Sequence, residues 1–131
     1  MRVYLLLLAL VVCVQAYAGK KVRVLFLGNS YTYYNNMPAL VANMATTTGD
    51  TLVWEMETPG GYTLADHYTS LASKNKIKQG NWDYVVLQEQ SQHPALPYQQ
   101  VFNTTFVYAH VLDTMINYYN PCAETIYYMT W

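Results

Sequence analysis

Three short segments carry the residue types that acyl transfer needs. Gly28-Asn29-Ser30-Tyr31-Thr32 offers a hydroxyl nucleophile, and Pro59-Gly60-Gly61-Tyr62-Thr63 offers backbone N–H groups without side-chain bulk. Gln88-Glu89-Gln90-Ser91-Gln92 adds several carboxamides. A serine that attacks a carbonyl carbon needs donors aimed at the oxygen where negative charge develops. A plainer reading fits the same residues: Ser30 as a helix N-cap, the two glycines as a turn and the glutamines as a solvated loop.

The elements around these segments explain why they should meet. Val22 to Leu27 is a β-branched and apolar run, Thr51 to Glu57 reads as a second strand, and Asp83 to Leu87 as a third. Each is followed directly by one of the three segments. Between them, Met37 to about Thr48 has helical spacing at Met37, Leu40, Val41, Met44 and Ala45, opened by Asn36 and Pro38 and closed by Gly49. Thr63 to about Ser73 reads as a helix capped by Thr63, and Lys74 to Asn81 as a polar connector. Gln99 to Tyr119 reads as a long helix stopped by Asn120-Pro121, and Thr125 to Met129 opens a fourth strand. Strict alternation of strand and helix predicts an α/β fold, a three-layer α/β/α sandwich on a parallel sheet. In such a sheet ligands bind beyond the carboxyl ends of the strands, where all three segments fall.

In these residues the chain resembles the SGNH, or GDSL-like, hydrolase superfamily of esterases and lipases. Its first block is a strand followed by G-[DN]-S, matched by Val24 to Thr32, and the resemblance gives Ser30 the nucleophile role. Its second block is a glycine after strand two, matched at Gly60-Gly61-Tyr62-Thr63, which makes Gly61 an oxyanion donor ahead of Gly60. The third follows a D-x-V-V-hydrophobic strand, here Asp83 to Leu87, and normally carries an oxyanion-hole Asn. Sialate-acetylesterase-like members read Q-G-E-S-N there, which puts Gln92 in the Asn position, with Gln88 or Gln90 as alternatives. The fourth block, Asp-x-x-His, supplies base and orienting acid. Asp50, Asp66, Asp83 and Asp113 are followed at the third place by Val53, Thr69, Val86 and Ile116, so the block is absent. The resemblance therefore implies the N-terminal part of such a domain over residues 19–131, cut after the fourth strand and poorly active alone. It implies hydrolysis of carboxylic esters, with the third block pointing to O-acyl groups on carbohydrates, and no metal or organic cofactor.

Composition narrows the rest. The 131 residues are 53% hydrophobic, 15% aromatic and 11% charged, the balance of a packed domain. All seven basic residues lie at or before Lys78, so no basic patch is expected and nucleic acid is not an expected partner. Met1-Arg2, the apolar run Val3 to Val14 and Ala16-Tyr17-Ala18 form the three parts of a secretory signal peptide over residues 1–18, too short for a stable membrane anchor. A secreted chain makes Asn103-Thr104-Thr105 a glycosylation acceptor. It also leaves Cys122 without Cys13, as a thiol awaiting a partner or as a small buried apolar residue. His67, His93 and His110 have no metal-ligand spacing, and only His93 lies near the third segment, as a substitute base or a packing residue. No Gly-rich phosphate loop is present. The competing expectation is a secreted, catalytically inactive domain that binds glycans, for which the fourteen tyrosines would supply stacking surfaces.

Overall fold

The computed structural model describes residues 19–130. The signal peptide expected over residues 1–18 lies outside them. Strands β1 (Lys21–Leu27), β2 (Thr51–Glu57), β3 (Tyr84–Gln88) and β4 (Glu124–Tyr128) form one parallel sheet in the order β2-β1-β3-β4. Parallel neighbours need crossovers, and these hold the helices. The first crossover contains α1 (Ser30–Tyr33) and α2 (Met37–Thr46), and the second α3 (Leu64–Thr69) and α4 (Leu71–Lys78). The third contains α5 (Tyr98–Val101) and α6 (Val107–Tyr119). The chain leaves β1 toward β2, then returns to the other side of β1 as β3. The point where the order reverses, between β1 and β3, is where open parallel sheets take ligands.

Both faces of the sheet are covered, as the α/β/α expectation requires. Leu25, Leu27, Val85 and Leu87 face one side and pack with Leu64, Ile77, Leu112 and Ile116 of α3, α4 and α6. Val24, Phe26 and Val86 alternate to the other side, against Met37 of α2 and Trp54 and Met56 of β2. Burial of each large apolar side chain contributes about 1.5–3 kcal/mol, and the densest packing lies around β1 and β3. The two central strands are thus the most rigid support available to a site.

Several elements differ from the sequence reading. The helix expected over Thr63 to Ser73 breaks at Ser70, whose ψ of 124° is extended and whose hydroxyl accepts from Ser73 N at 3.3 Å to cap α4. The stretch expected as a polar connector is therefore mostly helix, anchored by the single buried apolar residue Ile77. A π-helical turn, Phe102–Phe106, interrupts the long helix. Val101, Thr105 and Ala109 are all buried, and two successive spacings of four overrun a 3.6-residue turn; the wider turn absorbs the drift. Asn103 is exposed on that turn. The helix expected from Met37 forms as α2, but Leu40, Val41 and Met44 on it are exposed. Cys122 is exposed in the turn before β4, so the buried reading of this thiol is corrected. Asn120 does more than stop α6: its Nδ2 donates to Ile77 O at 2.9 Å and ties the ends of α6 and α4 together.

Candidate active site

β1 ends at Leu27 and the chain turns through Gly28 and Asn29. A Cβ at Gly28 would lie 2.4 Å from Thr32 Oγ1 and 2.7 Å from Gln88 Oε1, so only glycine allows β3 to approach this closely. Asn29 caps α1: its Oδ1 accepts from Tyr31 N at 3.2 Å, while its Nδ2 donates to Tyr62 O at 2.7 Å and binds the first loop to the second. The capping role offered to Ser30 by its residue type thus belongs to Asn29. Ser30 takes the first helical position instead, half-buried, where the backbone N–H has no intrahelical acceptor. Its Oγ makes no hydrogen bond among the described residues.

The second loop is a tight turn in which Tyr62 N donates to Pro59 O at 3.3 Å. Gly61 is its third residue, with φ of 77°, a conformation that favours glycine. The Gly61 N–H has no acceptor among the described residues. Behind it Thr63 and Asp66 form a reciprocal capping box that fixes the start of α3.

The third loop divides its glutamines between two tasks. Gln88 is fully buried at the end of β3. Its Oε1 accepts from Asn29 N at 2.9 Å and Thr32 Oγ1 at 3.0 Å, and its Nε2 donates to Glu89 O. Fully buried and absent from the lining of the cleft at Ser30, it is the brace under the Ser30 loop and is not placed to meet an oxyanion. Gln92 is exposed and does not line the cleft at Ser30; its backbone N donates to Gln90 Oε1 at 2.8 Å. Because a backbone N–H must meet the amide oxygen, this bond turns Gln90 so that Nε2 remains as the donor. Ser30, Gly61 and Gln90 come together, with Asn29, Tyr31 and Ser91, around a cleft of about 80 Å³.

Two buried groups hold the loops that form this cleft. Glu89 Oε1 accepts from Gln90 N at 2.7 Å and Leu64 N at 3.2 Å, linking the third loop to the start of α3. His67, fully buried in α3, lies 2.9 Å from Gly28 O through Nε2 and 2.8 Å from Ser73 Oγ through Nδ1. A carbonyl only accepts, so Nε2 carries the proton and Nδ1 accepts from the serine hydroxyl. Burial lowers the His67 pKa, against the opposing effects of Gly28 and Asp66. The unfolded imidazole gains its proton as pH falls through about 6.5, while the folded one resists. Stability is therefore complete above that pH and falls below it, by up to about 1.4 kcal/mol per pH unit. Denaturant melts at pH 7.5 and 5.5 are expected to show this loss in the wild-type chain and a smaller one in His67→Gln. No role for His67 at the site was legible beforehand, since a single histidine in an amphipathic helix carries no signal of what it touches.

Beside the small cleft, Ser30 also borders an open depression of about 690 Å³ lined by Tyr31, Tyr33, Tyr34, Met37 and Tyr128. Asn35 and Asn36 hold the tyrosine segment with φ of 54° and 52°, successive left-handed residues of the kind that collects at functional sites. His93 lines neither space; its Nδ1 lies 3.6 Å from Glu89 Oε1, beyond hydrogen-bonding distance. His110 is exposed on α6. Among the described residues no three His, Cys, Asp or Glu side chains converge as a metal site requires, and no helix is long and apolar enough to cross a membrane. No protein-family model and no curated protein matches the chain.

Proposed function

We propose that this chain carries the nucleophile and oxyanion parts of a serine esterase of the SGNH kind, acting on carboxylic esters in the secretory pathway. The observation that carries the reading is that Ser30, Gly61 and Gln90 line one cleft at the β1/β3 switch point. Ser30 Oγ attacks the ester carbonyl carbon, and the charge that moves to the carbonyl oxygen is held by the N–H groups of Ser30 and Gly61 and by Gln90 Nε2. Collapse of that intermediate expels the alcohol and leaves an acyl-serine, which water hydrolyses to the acid. The amide role expected of Gln92 passes to Gln90 in this reading, two residues earlier in the same loop.

The cleft lining contains no imidazole or carboxylate, so nothing in it removes the Ser30 proton or activates the second water. Acylation by an activated ester is then slow and deacylation slower. With p-nitrophenyl acetate the 131-residue chain is expected to release a first burst of nitrophenol, limited to one equivalent, followed by very slow turnover. Ser30→Ala should remove the burst, and a burst of equal size in that variant would sink the proposal.

The tyrosine-lined depression favours a second reading, a glycan-binding domain without turnover. It also supports a sugar as the alcohol part of an ester substrate, because a sugar ring presents apolar C–H faces to aromatic rings and hydroxyls to their rims. Saturable binding of a carbohydrate without any Ser30 acylation would select the binding domain.

A further inference from the structure

One peptide unit of the first loop is held at both ends by side chains from other elements. Its carbonyl, Gly28 O, accepts from His67 Nε2 of α3 at 2.9 Å. Its N–H, on Asn29, donates to Gln88 Oε1 at the end of β3, also at 2.9 Å. A peptide unit is planar, so gripping both ends fixes its rotation as well as its place. The remaining polar groups of Asn29 are occupied too: Oδ1 and Nδ2 meet Tyr31 N and Tyr62 O, and its carbonyl accepts from Thr32 N at 2.9 Å. Ser30 follows directly in the chain. The same imidazole reaches the second loop. Its ring meets the Tyr62 ring edge-on, with centroids 5.2 Å apart and planes at 68°, and Tyr62 adjoins Gly61. From α4, Ser73 Oγ donates to Nδ1 at 2.8 Å, which leaves the ring proton on Nε2 for Gly28.

We infer that His67 is a positioning residue, which holds the Ser30 and Gly61 loops in register so that their backbone N–H groups serve one carbonyl oxygen. The inference rests on the esterase reading and adds to it a group that touches no substrate, since His67 is fully buried and absent from the cleft lining. Backbone donors stabilise an oxyanion to the extent that they are in place before the charge develops. Neither loop has that rigidity by itself. The first takes it from α3 and β3 through the two bonds on its peptide unit, and the second from the ring contact to α3. A packing role alone has a different consequence: an apolar side chain of similar size at position 67 would then loosen strands and loops alike.

Amide hydrogen exchange and Ser30 acylation, both measured on the full chain, test this. In His67→Leu the amides of Asn29 and Tyr31 are expected to exchange about tenfold faster relative to those of β1 and β3, because local opening is then easier than global unfolding. With p-nitrophenyl acetate the acylation rate constant should fall about 10- to 100-fold, while the ester concentration at half-saturation stays unchanged. His67→Gln is the rescue. Its amide nitrogen reaches as far along the side chain as Nε2 and donates to Gly28 O, so Asn29 exchange and acylation should return close to wild-type values. Tyr62→Leu, at a half-buried position, keeps the backbone carbonyl that receives Asn29 Nδ2 and carries the test if His67→Leu does not fold. It should speed exchange at position 62 and slow acylation several-fold. Exchange that rises equally in strands and loops overturns the inference, as does an unchanged acylation rate in folded His67→Leu or in Tyr62→Leu. No Ser30 acylation in the wild-type chain is instead a failure of the esterase reading, and the exchange rates then still decide whether His67 holds the two loops.

Discussion

Replacing Gln88 by Met is expected to lower folding stability by about 2–5 kcal/mol, although the side-chain volume hardly changes. Gln88 is fully buried and its Oε1 is the acceptor for both Asn29 N and Thr32 Oγ1. A thioether cannot replace that oxygen, and each buried donor left without an acceptor costs about 1–3 kcal/mol. Equilibrium urea denaturation measures the loss. Because the orphaned groups flank Ser30 in the first loop, the same variant should also slow Ser30 acylation. Gln92→Ala is the control: the side chain is exposed, so stability should change by no more than about 0.5 kcal/mol. Equal losses at the two positions would contradict the assignment of Gln88 as the internal brace.

Gln90→Ala is expected to lower the rate of Ser30 acylation about 100- to 1,000-fold, the usual consequence of deleting one oxyanion donor. The structure ties down this side chain, since Gln92 N at 2.8 Å fixes its oxygen and leaves Nε2 as the donor of a residue that lines the cleft. Gln92→Ala retains the backbone N–H that makes this bond and should acylate at the wild-type rate. The burst rate with p-nitrophenyl acetate reads both variants. A large loss in Gln92→Ala with none in Gln90→Ala would return the donor role to the position aligned with the family's Asn.

The central strands and the order of the three loops were legible because they rest on local signals. Val22 to Leu27 and Asp83 to Leu87 are apolar runs ended by polar residues, and strict alternation with helices left only a parallel sheet. The placement of Ser30 and Gly61 at one edge followed from that topology alone. What escaped the sequence was decided by long-range contacts. Nothing local marks Gln88 as buried beneath the first loop, because its partners Asn29 and Thr32 are nearly sixty residues away in the chain. His67 meets Gly28 across 39 residues. The break at Ser70 was hidden because serine reads alike as helix surface and as cap. The π-helical turn left its trace only as the fours in the spacing of Val101, Thr105 and Ala109. Choosing among three glutamines in one loop required the direction of a single backbone N–H, which spacing does not encode.

The most direct test of the account is to locate the acetyl group after brief exposure of the 131-residue chain to p-nitrophenyl acetate, by digestion and mass spectrometry. One acetyl group on Ser30, slowly lost and absent from Ser30→Ala, is the predicted result. Acetylation spread over lysines and tyrosines, with Ser30 unmodified and Ser30→Ala reacting as the wild type does, would contradict the claim that this loop presents a nucleophile.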